Sequence, residues 1–165
     1  MADTFSFDIV SEVNFMEVEN GINQAQKELA QRFDFKGSKS SIDFNKAEKK
    51  ITLVADDDFK MRSLRDIVDT RLSKRGVSLK ALTEKPLEKA FEGTVRQVIE
   101  LTSGLPSDKA KEVVKIIKDN KFKVQAAIEG QKIRVSSPKK DELQAVLAHL
   151  RNANFSLPLQ FTNFR

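Results

Sequence analysis

SIDFNKAEKKITLVADDDFKMRSLRDIVDTRLSKRGVSLKA, residues 41–81, carries four element signals in succession. Ile42 and Phe44 alternate with Ser41, Asp43 and Asn45, the period of two expected of a half-buried strand. The polar run NKAEKK, residues 45–50, reads as a turn, and Ile51, Leu53 and Ala55 then alternate again. Two strands so close in sequence predict an antiparallel hairpin. Asp56, Asp57 and Asp58 supply an N-cap and first-turn acids for a helix. Met61, Leu64, Val68 and Leu72 follow at steps of three or four, which places them on one helix face. Arg75-Gly76 ends that helix, with glycine in the left-handed cap position, and Val77, Leu79 and Ala81 alternate as a further strand.

Working outward, Phe5, Phe7 and Ile9 alternate with Ser6 and Asp8 in a first strand spanning Phe5 to Val13. Asn14 and Glu17 have the spacing of a capping box, and Val18, Ile22, Ala25, Leu29 and Phe33 line one helix face. The first half therefore reads strand-helix-strand-strand-helix-strand. Residues 85–93, with Pro86, read as a boundary, after which the order repeats. Val95, Gln97, Ile99 and Leu101 alternate; Ser107 caps a helix carrying Ala110, Val113, Val114 and Ile117. Phe122, Val124 and Ala126 pair through Glu129-Gly130 with Ile133 and Val135. Ser137 reads as the cap of a helix with Pro138 in its first position and Leu143, Val146, Leu147 and Leu150 as its apolar stripe. Leu157, Leu159 and Phe161 close the series.

This pattern predicts an α+β protein of two ferredoxin-like (βαββαβ) domains, residues 1–88 and 89–165. Each would be an antiparallel four-stranded sheet with two helices on one face. Sequence order leaves open whether every strand stays in its own half, because exchange of a terminal strand gives the same pattern.

The chemistry of most enzymes is missing. The 165 residues contain no cysteine and one histidine, which excludes disulfides, thiolate ligands and cysteine nucleophiles and fits a reducing, cytoplasmic setting. No signal peptide and no run of the ~18 apolar residues needed for a membrane span is present. His149 lies off the apolar stripe of the last helix, with no nucleophile or orienting acid in sight. Metal-ligand spacing, a Walker loop and GxGxxG are absent, and the three aspartates at 56–58 are explained by helix capping. The expectation is a binding protein with no catalytic residues, no metal and no cofactor. Its net charge of +5 is unevenly spread: residues 1–92 hold 16 Lys+Arg against 17 Asp+Glu, and residues 93–165 hold 13 against 7. The basic excess of the second half favours polyanion partners.

FDFKGSKSS, residues 33–41, is the phosphate candidate. Gly37 permits an anion-binding concavity of backbone N–H groups, with Lys36, Lys39 and Ser38 as further donors. The second helix adds Arg62 and Arg65, suited to bidentate phosphate contacts or stacking on a base, although Asp66 and Asp69 lie among them. LPLQFTNFR, residues 157–165, is too apolar for a frayed end, and Arg165 is expected to be pinned or near a ligand. Neither ITLVADD nor KIRVSS carries an aromatic, so base stacking on a central strand, as in RNA-recognition motifs, is weakly supported. Backbone contacts to RNA through Lys109, Lys111, Lys115, Lys118, Lys121 and Lys123 stay open.

SFDIVSEV at 6–13, RFDFKGSKSSI at 32–42, DDFKMRSLRDIVDTRLSKRGV at 57–77, KKDELQAVLAHLR at 139–151 and LPLQFTNFR at 157–165 closely resemble the bacterial YajQ family. Asn14 stands where that family's aspartate is expected. The resemblance implies two ferredoxin-like domains and a small cytoplasmic nucleotide-binding protein, without catalytic residues. It also implies, for some relatives, binding of cyclic di-GMP and action through other proteins, and an association with RNA. The expected ligand is thus a purine nucleotide or cyclic di-GMP; the alternatives are RNA bound by the basic second domain, or a protein partner such as a transcription factor docked on an open sheet face or basic helix.

Overall fold

A computed structural model of the chain describes residues 4–165. The hairpin expected from residues 41–55 forms as β2 (Ser41–Asn45) and β3 (Lys50–Ala55), with Ile42 opposite Leu53 and Phe44 opposite Ile51. Before it come β1 (Phe5–Val10) and α1 (Phe15–Gln31); after it come α2 (Asp58–Lys74), β4 (Leu82–Glu84), β5 (Glu88–Lys89) and β6 (Val95–Leu101). The remainder is α3 (Ser107–Asp119), β7 (Gln125–Glu129), β8 (Lys132–Ser137), α4 (Lys140–Asn152) and β9 (Gln160–Thr162). Asn14 caps α1 by accepting from the Met16 and Glu17 N–H groups at 3.1 and 3.3 Å. Asp57 caps α2 by accepting from the Lys60 N–H at 2.8 Å.

Local capping moved several boundaries. Residues 77–81 are not a strand: Leu79–Ala81 form a 3-10 turn, because Ser78 Oγ accepts from the Lys80 N–H at 3.3 Å and closes a turn instead of an extended ladder. Pairing begins at Leu82. Similarly, α4 starts at Lys140, two residues past Pro138, since Ser137 Oγ takes up the Lys139 N–H at 3.1 Å before the helix begins. Ser107 is the first residue of α3 rather than its cap; Pro106 precedes it without a side-chain cap.

The fold is α+β, with two antiparallel sheets of ferredoxin-like order. The chain divides, however, away from the expected boundary between 88 and 89. One compact unit runs from Val13 to Thr102; the other joins the chain up to Glu12 with Ser103–Arg165. In the Val13–Thr102 unit the strand order is β2-β3-β6-β4, with β5 also on β6. Here β6 is central: Ile51 faces Ile99, and Leu82 faces Leu101. In the other unit the order is β7-β8-β1-β9, with Phe7 opposite Val135, and Ile9 opposite Ile133 on one side and Phe161 on the other. The strand preceding α1 and the strand preceding α3 are thus exchanged relative to the sequence halves. Each is apolar on one face, so the period-two pattern is satisfied in either sheet.

Two cores result. In the Val13–Thr102 unit, Val18, Ile22 and Ala25 of α1 and Met61, Leu64, Val68 and Leu72 of α2 pack over Ile51, Leu53, Ile99 and Leu101. Gly21 lets the helices approach closely: a Cβ there would meet Leu72 Cδ2 at 2.9 Å. In the second unit, Val113 and Ile117 of α3 and Leu143, Val146, Leu147 and Leu150 of α4 cover Phe7, Ile9, Ile133 and Val135. On the opposite sheet face Asp8 is buried, bonded by Asn163 Nδ2 at 2.9 Å and by Arg134 Nε and Lys132 Nζ, each at 3.3 Å. Burial alone would push its carboxyl up; the bonds from Asn163, Arg134 and Lys132 outweigh it and hold the group below the ordinary carboxylate range.

Candidate functional site

The α1 helix ends at Gln31, and its C-cap Arg32 is already extended, at φ −78 and ψ 126. This takes Phe33 out of the helical period, so Phe33 does not join the inner face on which the spacing had placed it. A 3-10 turn, Phe33–Phe35, follows, and it points the two phenylalanines differently. Phe35 is buried in the core with α1 and β2, while Phe33 is 85% exposed. Arg32 braces the turn by a two-point pairing with Asp34 (Nε–Oδ1 2.9 Å, Nη2–Oδ2 2.8 Å), and that guanidinium draws the Asp34 carboxyl below its ordinary value. The Lys60 ammonium stands 4.9 Å from the Phe35 ring centre and donates to the Asp34 carbonyl. Lys36 lies 6.0 Å from the Phe33 ring centre.

Between the end of α1 and this turn lies an open concavity of about 560 Å³, lined in part by Gln26, Leu29, Arg32, Phe33, Lys36, Gly37 and Ser38. Gly37 has φ +76, which lets the chain reverse there. The loop donors mostly point elsewhere. Lys36 and Ser38 give their N–H groups to the Phe33 and Phe35 carbonyls at 3.1 and 3.0 Å. The Lys39 N–H goes to Asp56 Oδ1 at 3.1 Å, the Ser38 hydroxyl goes to Asp56 Oδ2, and the Ser40 N–H goes to Ser38 Oγ at 3.1 Å. From Lys36 to Ser40, the Gly37 N–H alone has no partner among the described residues. Asp56 therefore fills much of the cradle the sequence suggested, as an internal anion.

Hydrogen bonding by Ser38, then by the Lys39 N–H, holds the Asp56 carboxyl below its ordinary value. Since the folded-state pKa is depressed, this contribution to stability is present above the unfolded carboxylate pKa and is lost as pH falls through the lowered value. Acidification below about pH 4 is thus expected to release residues 36–40 before the cores open, seen as faster amide exchange there. Asp56→Ala is expected to loosen the same segment at neutral pH and to cost about 1–3 kcal/mol in a denaturant titration.

The remaining sequence candidates separate. Lys39 Nζ pairs with Glu92 at 2.7 Å. Arg65, with 14% of its side chain exposed, is held by Asp69 at 2.7 Å and by Glu84. Arg62 on α2 is exposed, with no ion pair among the described residues. Arg165 belongs to the other unit, where its N–H and carbonyl pair with Ser6 at 2.9 and 3.2 Å. His149 contacts Asn120 at 3.1 Å and meets Phe122 edge-on. Among the described residues no group of three or more His, Cys, Asp or Glu is placed to hold a metal ion, and no helix is long and apolar enough to cross a membrane. Sequence reasoning missed Phe33 as a surface group. Phe59, next to Lys60, and Phe91, next to Glu92, are also exposed.

A family described as nucleotide-binding protein YajQ-like matches residues 5–165. Among similar proteins, a nucleotide-binding protein of Endomicrobium trichonymphae is 62% identical, one of Carboxydothermus hydrogenoformans 52% and one of Elusimicrobium minutum 50%. Each alignment runs over 165 residues and covers the whole of both chains.

Proposed function

The chain belongs to the YajQ-like family of nucleotide-binding proteins, and from this premise we propose that it binds a purine nucleotide, cyclic di-GMP included, in the concavity beside Phe33. One observation carries the reading: an exposed phenylalanine ring borders a concavity of about 560 Å³, beside an unpaired Gly37 N–H and the Lys36 ammonium. That volume suits a nucleotide. The base stacks on Phe33. The phosphates meet Lys36 and the Gly37 N–H rather than the end of α1, where the helix dipole is negative; Arg62 on α2 does not line the concavity. Ser38 and Lys39 support the loop through Asp56 and Glu92 instead of touching phosphate. The family's name carries no reaction, and the role proposed for the site is capture of a ligand.

Calorimetric titration with ATP, GTP and cyclic di-GMP tests this. Phe33→Ala is expected to weaken binding by about tenfold, the effect of losing one stacked base at ~1–3 kcal/mol, and Lys36→Glu by at least as much. No heat from any of the three, or affinities untouched by both substitutions, would overturn the reading.

A second reading has its own support. In the unit that contains α3, Lys111, Lys115 and Lys118 are exposed with no acid partner among the described residues, and Lys121 and Lys123 follow them. Such a cationic face suits an RNA backbone. It requires a steep fall of affinity with salt, and a flat salt dependence excludes it.

A further inference from the structure

The unit built from β1, α3, β7, β8, α4 and β9 contains a second, smaller cavity that the nucleotide reading does not use. It measures about 230 Å³ and lies where the end of the chain returns past the start of β1 toward α4. β9 pairs with β1 only from Val10 to Asp8. Asn163 then adopts φ +56 in a one-residue bulge, and the antiparallel pairing resumes through Arg165 and Ser6. The detour lays Phe164 against Phe7, ring centres 5.8 Å apart, yet leaves Phe164 57% exposed. A large apolar ring held in place by backbone pairing on both sides, but half open to water, forms a wall of the cavity.

The lining is divided by chemistry. Phe5, Phe7, Leu143, Leu147 and Phe164 give an apolar body. Lys140 and Arg165 are the charged lining residues; both are cationic, both are exposed, and neither has an ion-pair partner among the described residues. Lys140 is also the first residue of α4, so the positive end of that helix dipole adds to the field at this side. Asp141 and Glu142 share the first turn, but neither lines the cavity, and Glu142 accepts from the Lys123 N–H at 3.3 Å. An apolar void of roughly 150 Å³ already takes benzene. The volume here accommodates a fused two-ring body or a medium-length acyl chain, and falls below the range of ordinary nucleotide sites.

We propose that this cavity is a binding site for a small amphiphilic carboxylate. The hydrocarbon body lies among Phe5, Leu143, Leu147 and Phe164, and the carboxylate meets Lys140 and Arg165. Two cationic side chains and the positive end of α4 outweigh the single carboxylate that Arg165 itself carries, and a net positive rim on an apolar cavity discriminates for an anion with an apolar body. A neutral hydrocarbon leaves the cations unused, and a small hydrophilic anion leaves the cavity unfilled.

The test is a titration of the full chain with 2-naphthoate and octanoate, followed by amide NMR shifts and calorimetry, with 2-naphthylmethanol and acetate as the neutral and body-less controls. Both amphiphilic anions are expected to bind and to shift the amides of Leu147, Phe164 and Arg165. 2-Naphthylmethanol should bind about tenfold more weakly than 2-naphthoate, and acetate should not bind. The double variant Lys140→Glu/Arg165→Glu changes exposed groups only and should lose at least tenfold for both anions. No binding of either anion at millimolar concentration overturns the proposal. So does equal binding of 2-naphthylmethanol, or shifts confined to residues 13–102. The comparison of 2-naphthoate with its neutral analogue decides the matter in the unaltered protein should the double variant fold poorly.

Discussion

A fragment spanning residues 13–102 is expected to fold by itself with a cooperative thermal transition, and a fragment spanning residues 1–88 is not. The reason is the position of β6. It pairs with β3 over six residues, Lys50–Glu100 to Ala55–Val95, and with β4 over Leu82–Glu84, so it is the middle of its sheet. Ending the chain at residue 88 removes β6 and leaves β3 and β4 as facing unpaired edges. It also removes Ile99 and Leu101, both buried. At about 1.5–3 kcal/mol for each such side chain, the loss in burial alone approaches 3–6 kcal/mol, before any unpaired backbone group is counted. Domains of this size are stable by only ~5–15 kcal/mol. The competing outcome is specific. In a 1–88 fragment, β1 directly precedes α1 and could take the vacant place of β6. Dispersed amide NMR signals and a sharp melt from the 1–88 fragment would show that the two central strands are interchangeable.

Phe7→Ala is expected to destabilise the protein by about 3–5 kcal/mol, and to do so in a pattern that follows space rather than sequence. Phe7 has no exposed surface and meets Phe161 edge-on and Phe164 face-on, at ring-centre separations of 6.0 and 5.8 Å. It lies next to α1 in sequence but packs with α3 and α4. Native-state hydrogen exchange on the variant should therefore show lost protection in β7, β8, α3 and α4, residues more than 90 positions away. Protection in α1, β3 and α2 should persist. Loss concentrated in residues 13–102 would contradict the division of the chain described above.

The candidate site shows where local reading stops. RFDFKG at 32–37 offers a phenylalanine at 33 and another at 35, and at helical spacing Phe33 continues the series Val18, Ile22, Ala25, Leu29. What reverses this is the extended backbone of Arg32, stabilised by the pairing of its side chain with Asp34 and by the cation contacts of Arg32 and Lys60 to Phe35. One of those partners lies on another helix and is invisible to a window of neighbours. Ser38 and Lys39 were legible as donors in a glycine loop. That their bonds are taken by Asp56 depends on a residue 17 positions away from Lys39. Arg65 behaves likewise: its pairing with Asp69 follows from helical spacing, while its pairing with Glu84 does not.

The sequence alone determined the order of the main strands and helices and the inward face of most of them, though not the turn at 79–81 or the outward Phe33. Apolar periodicity, caps and turn residues are local properties, and they act on a chain whose partners are not yet chosen. The tertiary structure alone decided that β1 and β6 serve sheets other than those their places in the chain suggest. It also decided that Phe33 stands in solvent beside an open concavity, and that Asp56 occupies the loop donors. Strand pairing and loop bonding join residues far apart in the chain. Two strands with equivalent alternation fit either sheet by pattern, so the outcome rests on the packing of whole surfaces.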